Sequence, residues 1–248
     1  MTFSTGSLDI KKPKLSVIIT AHNEQRYIAR CLNSIVAAAA YAEINSEIVV
    51  VLNRCTDQTE SIARSYGASC VVEDRKCLAA IRNAGVRASS GHVVVTIDAD
   101  SWMSLHALAE VLHFLESGRY VGGGCLILPE RWSLGIVFSL LAIAPYVLWR
   151  GVSGGMFWLK RDTFGELGGF DESLLSVEDL DFAIRLKRYG RSRGLRYGTL
   201  MRSYITTSCG KFDQFGDWYL FLNPRLVKAI FSGRNRKAAD SFYYEIKR

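Results

Sequence analysis

No Cys-x-x-Cys pair occurs in the 248 residues, and none of the six cysteines (Cys31, Cys55, Cys70, Cys77, Cys125, Cys209) has a histidine at zinc-ligand spacing. That excludes a zinc-ribbon or finger site. Scattered thiols in so long a chain read as reduced groups of a cytoplasmic protein, because a large core needs no disulfide framework. No Gly-x-Gly-x-x-Gly follows the first apolar run, which disfavours a dinucleotide cofactor, and the absence of Gly-x-x-x-x-Gly-Lys-Ser/Thr excludes a P-loop. Met1 to Lys14 is polar and lacks the apolar stretch of a secretory signal. Long apolar runs are missing too. The nearest, Ser133 to Trp149, is uncharged, shorter than the ~20 residues of a spanning helix, and interrupted by Pro145. Two readings of it stand: a buried helix pair, or a helix lying in a membrane interface.

What is present is globular. Hydrophobic residues make up 49% and charged residues 22%, which excludes disorder and fibrous repeats. The length suits one large α/β domain or two small ones. Thirty-one Lys and Arg against 24 Asp and Glu give a net charge of +7. That excess suits a phosphorylated ligand, an acidic membrane surface or nucleic acid, and does not choose among them.

Strand and helix signals alternate through the first hundred residues. LSVIIT (15–20), EIVVVL (47–52), Cys70 to Val72 and HVVVTI (92–97) read as buried strands. Between them lie helical patterns, one carrying Ile28, Leu32 and Ile35 on a single face. Asp57 with Glu60 reads as a capping box, and Gly67 as a stop. The order β-α-β-α-β-α-β predicts a mostly parallel, Rossmann-like sheet with helices on both faces. The second half is less regular. Tyr120 to Leu128 and Gly155 to Lys160 read as strands, and a helix is expected from Ser176 to Tyr189, closed by Gly190. From Met201 the chain turns aromatic and basic. Residues 1–200 are therefore read as a catalytic domain and 201–248 as an extension, in which Arg225, Lys228, Arg234, Arg236 and Lys237 follow Phe212, Phe215, Trp218, Tyr219 and Phe221.

In open α/β sheets ligands bind beyond the carboxyl ends of the strands. Here those ends carry Ala21-His22-Asn23-Glu24, Asn53-Arg54-Cys55-Thr56-Asp57 and Asp98-Ala99-Asp100. Paired carboxylates at a strand end repel one another unless a cation lies beside them, and Mg²⁺ or Mn²⁺ is the usual partner. Most such triplets are solvated turns; the strongly apolar strand ahead of this one raises its standing. A second acidic group, Glu178-Asp179 and Asp181, suits the positive end of a helix that Ser176 caps, but three carboxylates in four residues exceed what capping needs.

LSVIITAHNE, VVLNRCTDQT, RNAG ahead of VVVTIDAD, GGMFWLKRDTFGELGGFDE and VEDLDFAIRLKRYG together resemble glycosyltransferase family 2, from about Leu15 to Gly190 and in the family's order. The resemblance implies a GT-A fold and a nucleotide-sugar donor. It implies that Ala21 and His22 line the base pocket with Glu24 beside them, that Asn53 meets the base edge, and that Arg82 reaches the diphosphate. Leu52 and Arg54 depart from a common Asp and Gly there, so the nucleobase is left open. Asp100 is implied as the more direct metal ligand, with Asp98 near the ribose or the metal. Gly154 and Gly155 would let backbone approach the sugar or the acceptor. Asp179 is implied as the catalytic base, supported by Glu178. The expected protein is a metal-dependent, inverting glycosyltransferase acting on a hydroxyl acceptor, saccharide or lipid-linked, with an anionic membrane surface as a further partner and no nucleic acid. It lacks the Gln-x-x-Arg-Trp block of processive synthases, which favours single-sugar transfer. The alternatives are a sugar-nucleotide nucleotidyltransferase, and a non-catalytic binder of acidic partners.

Overall fold

Every apolar run that reads as a strand joins a single sheet. The computed structural model describes residues 14–174 and 176–223. In chain order the elements are β1 (Leu15–Ala21), α1 (Ile28–Tyr41), β2 (Ser46–Leu52), α2 (Thr59–Ser65), β3 (Ser69–Val72), α3 (Leu78–Ala88) and β4 (Val93–Asp98). Then come β5 (Ser101–Met103), α4 (Ala107–Glu116), β6 (Tyr120–Pro129), α5 (Leu134–Arg150), β7 (Gly154–Lys160) and α6 (Arg161–Glu166). The last are α7 (Glu178–Ser192), β8 (Arg196–Thr207), α8 (Gly210–Phe215) and α9 (Tyr219–Leu222). The sheet order is β3-β2-β1-β4-β7-β6-β8-β5. Pairings β1 with β2, β1 with β4, β2 with β3 and β6 with β8 are parallel. β7 runs antiparallel to β4 and β6, and β5 antiparallel to β8. The expected mostly parallel sheet is present.

Successive strand residues point to opposite faces, and β1 divides accordingly. Val17 and Ile19 join Leu32 and Ile35 of α1 and Leu108 and Val111 of α4 in one core. Ile18 joins the other core, with Ile81 of α3, Phe157 of β7, and Phe182 and Leu186 of α7. β1 has β2 on one side and β4 on the other, so the chain reverses direction across the sheet at its carboxyl end. This is where such sheets open a crevice. All six cysteines are free thiols.

Several sequence expectations need correction. Glu60 closes no capping box: it pairs with Arg64 one turn later. Asp57 instead accepts from the Thr59 amide and hydroxyl and from the Gln25 amide, so it ties two loops together. α7 begins at Glu178, with Val177 rather than Ser176 at its N-cap, and passes through Gly190 to Ser192. Gly190 is required inside the helix because a Cβ there would meet Val121 at 2.7 Å. β8 runs straight across residue 200, so the sheet extends seven residues into the segment read as an extension. α4 and β5 are additional, and the buried Ala107, Leu108, Val111, Leu112 and Leu115 carried the helical spacing that marks α4.

The apolar segment forms one helix, Leu134–Arg150, with Pro145 inside it, and not a buried pair. Ile136 is fully buried, whereas Leu134, Phe138, Leu141 and Trp149 are exposed, the first and last by 71% and 75%. Phe138 stacks on Trp218 at 5.7 Å and lies 5.8 Å from Phe221 of α9. Among the described residues no helix is long and apolar enough to cross a membrane. The cations from Arg225 to Lys237 lie outside the described residues.

Candidate active site

The loop after β1 is fixed from both ends. Ala21 is buried, and its carbonyl accepts from the Asn53 amide at 2.8 Å. The His22 ring N–H at Nδ1 donates to the Asn53 carbonyl at 2.6 Å, which turns that edge of the ring toward the end of β2. Asn23 takes a left-handed backbone, φ 55°, and its side-chain oxygen accepts from the Thr56 amide. Glu24 is 3% exposed, and its backbone carbonyl starts α1 by accepting from Tyr27 and Ile28. It is a loop-organising residue rather than part of an open surface.

Asn53 is similarly committed. Its Nδ2 donates to the carbonyls of Glu73 at 2.5 Å and Arg75 at 3.0 Å, which leaves neither amide hydrogen for a base edge. Its Oδ1 faces the Arg54 guanidinium at 3.3 Å.

At the end of β4, Asp98 Oδ1 accepts from Thr20 Oγ1 at 2.7 Å and from Arg82 Nη2 at 3.1 Å. The Asp98 side chain is nevertheless 42% exposed. Asp100 Oδ2 accepts from Ser208 Oγ at 3.0 Å, and the Ser208 amide donates to the Asp100 carbonyl. Cys31 lies beneath the two acids. Burial pushes its thiol far up, and the negative charges of Asp100 and Asp98 add to the shift.

Arg82, expected at the diphosphate, lies between two carboxylates. It is 7% exposed, and its two terminal nitrogens are already engaged, Nη2 by Asp98 and Nη1 by Glu178. Burial alone lowers its pKa, but the carboxylates of Asp98 and Glu178 outweigh that and hold the guanidinium firmly charged. Burial pushes the Glu178 carboxyl up while Arg82 pulls it down. The two acidic groups of the sequence are thus joined through one cation.

Asp179 follows at the mouth of α7. Its Oδ1 accepts from the Leu180 amide at 2.7 Å, and its Oδ2 lies over Gly154, where a Cβ would sit 3.6 Å away. Asp181 points elsewhere, into an ion pair with Arg185. Gly155, expected with Gly154 to let backbone approach the sugar or the acceptor, is tightly packed on the side a Cβ would take. It holds φ 76°, and a Cβ there would meet Ile127 at 2.6 Å and Ile205 at 2.9 Å. Gly154 is the glycine beside the candidate base. Thr20 and Ser208, which orient the two strand-end carboxylates, carry no signal in the sequence: each lies far along the chain from its partner.

Among the described residues no cluster of three or more His, Cys, Asp and Glu could hold a metal. Mg²⁺ is typically held by one or two carboxylates together with substrate phosphates and water. Asp100, with the half-exposed carboxylate of Asp98, is a donor set of that kind, and hard oxygen ligands suit Mg²⁺ or Mn²⁺. The residues fit a divalent ion that arrives with a diphosphate.

A family model described as glycosyl transferase family 2 matches residues 16–133. An uncharacterized glycosyltransferase of Haemophilus influenzae is 24% identical over 245 residues, covering 89% of this chain and 80% of its own. Glycosyltransferase AglE of Haloferax volcanii is 33% identical over 198 residues, covering 73% of this chain and 63% of its own. Among solved structures, mannosyltransferase PcManGT from Pyrobaculum calidifontis, in complex with GDP-Man and Mn²⁺, matches with a TM-score of 0.64 at 21% identity, covering 95% of this chain and 71% of that one. Staphylococcus aureus TarS 1–349 in complex with UDP-GlcNAc matches at 0.60 and 21%, covering 94% and 71%. At those identities the likeness shows the fold.

Proposed function

We propose that the chain, which is similar to glycosyl transferase family 2 and has the GT-A fold, transfers a single sugar, with inversion, from a nucleoside-diphosphate sugar to a hydroxyl acceptor. The observation that carries this is the meeting of two acidic groups at one crevice: Asp98 and Asp100 at the end of β4, and Asp179 on the first turn of α7. Their tasks differ. Asp100, with the half-exposed carboxylate of Asp98, would hold a divalent ion beside the diphosphate, where it would supply neutralisation of the charge that develops on the leaving phosphate. Asp179 takes the proton of the acceptor hydroxyl as its oxygen attacks the anomeric carbon and the bond to the diphosphate breaks. One displacement inverts the anomeric centre, and no carboxylate of the protein becomes glycosylated.

The donor class and the use of Mg²⁺ or Mn²⁺ are supported by the fold neighbours, one with GDP-Man and Mn²⁺ and one with UDP-GlcNAc. Ala21 and His22 remain the residues closest to a base pocket by position, at the switch between β1 and β2. A lipid-linked acceptor presented at the cytosolic face of an anionic membrane is supported by the exposed apolar side of α5 and by the cations that follow α9 in sequence. Incubation with a panel of UDP- and GDP-sugars, with Mg²⁺ or Mn²⁺, tests the central claim. Release of nucleoside diphosphate, with the free sugar first appearing as the opposite anomer, is expected. Pyrophosphate as the product would instead make the protein a nucleotidyltransferase.

A further inference from the structure

α7 begins in an unfavourable way. Its N-cap, Val177, holds φ 56° and ψ 21°, a left-handed backbone that a β-branched residue rarely adopts, and the valine side chain cannot cap the helix. Such a conformation persists only where the surroundings over-determine it. The surrounding contact is Arg82, whose Nη1 clasps the buried carboxylate of Glu178, the first residue of the helix. The opposite side of the same guanidinium is held by Asp98, which is itself held by Thr20. The guanidinium also lies 5.4 Å over the ring of Phe170, and Phe170 stacks on Phe182 of α7 at 4.1 Å. Next to it, Asn83 exchanges two hydrogen bonds of 2.9 Å with the backbone of Phe170. One turn of α3 is therefore the template for the chain that enters α7.

We propose that Arg82 is a positioning residue for the transfer: acting through Glu178, it fixes the first turn of α7 so that the Asp179 carboxylate lies over Gly154. Asp179 follows Glu178 directly, so a rotation that freed Glu178 would swing the base away from the backbone it faces. A planar fork can engage Asp98 and Glu178 at once, which a lysine ammonium on a flexible stem does not reproduce. Misplacing a reacting group by about 1 Å costs roughly 100-fold in rate. The inference rests on Asp179 being the base.

The test compares Arg82→Lys, Glu178→Gln, the double variant and Asp179→Asn. Turnover is measured on the UDP- or GDP-sugar cleaved fastest, affinity by calorimetry with UDP or GDP and Mn²⁺, and the α7 amides by hydrogen exchange. Arg82→Lys and Glu178→Gln should each lower turnover at saturation by about 10–100-fold and leave nucleotide affinity within about threefold. Exchange should quicken at Leu180 and Asp181 but not in the last turn of α7. The double variant should be no slower than the slower single one, because one link is cut once. A tenfold or greater loss of nucleotide affinity in Arg82→Lys, with turnover at saturation intact, overturns the proposal and makes Arg82 a diphosphate ligand. Unchanged exchange and turnover in Glu178→Gln overturns it too, and that variant carries the test if Arg82→Lys does not fold. Normal turnover in Asp179→Asn would instead remove the base assignment, a failure the exchange data distinguish.

Discussion

Ser208 Oγ donates to Asp100 Oδ2 at 3.0 Å across 108 positions of sequence. The pair joins the end of β8 to the end of β4, so a carboxylate proposed to hold the metal is oriented by the last strand of the sheet. Asp100→Ala should abolish Mn²⁺-dependent binding of UDP or GDP and leave the fold intact. Ser208→Ala should weaken it by about 2- to 10-fold, the size of one hydrogen bond of roughly 0.5–1.5 kcal/mol. Calorimetry with and without Mn²⁺ measures both, and an unchanged Asp100→Ala would remove that residue from the site.

Asp179→Asn keeps the size and hydrogen-bonding shape of the side chain but cannot accept the acceptor proton. Turnover should fall by roughly 10²–10⁴-fold, the usual worth of a general base, with nucleotide affinity unchanged. Near-normal turnover at saturating donor would rule Asp179 out.

The two neighbouring glycines should separate function from stability. Gly155→Ala forces a Cβ into Ile127 and Ile205 at a positive φ, and is expected to cost about 1–3 kcal/mol of stability, as overpacking does. Gly154→Ala has open space apart from Asp179 and Phe157, so its melting temperature should hold while turnover drops. Thermal melts beside rate measurements make the comparison, and the opposite ranking in the melts would contradict the packing argument.

Arg131 grips α8 and the turn after it through Asp213 and Asp217. Its guanidinium, with help from Ser133, holds the Asp217 carboxyl down at about 2. A lowered folded-state pKa stabilises above the unfolded value, about 3.9 for Asp, and that contribution is lost as pH falls toward 2. The melting temperature of Asp217→Asn should therefore lie below that of the wild type at pH 6 and converge with it near pH 2. A gap that stays constant over that range would exclude the linkage.

α5 leaves Leu134, Phe138, Leu141 and Trp149 exposed. If this side meets a membrane, the protein should float with anionic vesicles at low salt, and binding should weaken with added salt, since each nearby Lys or Arg contributes about 1 kcal/mol. Replacing Phe138, Leu141 and Trp149 with serine, or Arg234, Arg236 and Lys237 with glutamine, should each release it. Protein that stays in the soluble fraction at low salt would dismiss the membrane surface.

Sequence alone determined the elements whose signal is local. β1, β2 and β4 are continuous apolar runs that only a strand covered on both faces explains, and the alternation with helices carried the parallel half of the sheet. The strand-end carboxylates Asp98 and Asp100 were legible because the chemistry of paired acids and their place after a strand both lie within a few residues. Only the tertiary structure decided how those groups are used. That Arg82 is spent on Asp98 and Glu178, that Asn53 is spent on the backbone of Glu73 and Arg75, and that Gly154 rather than Gly155 faces Asp179 all depend on contacts between distant segments. The exposure of α5 is of the same kind: an uncharged run has the same composition whether a neighbouring element covers it or not, and only the tertiary packing, which buries Ile136 and sets α9 against the helix, leaves Leu134, Leu141 and Trp149 open. Periodicity is a property of neighbours along the chain, whereas a hydrogen-bond partner is a property of neighbours in space.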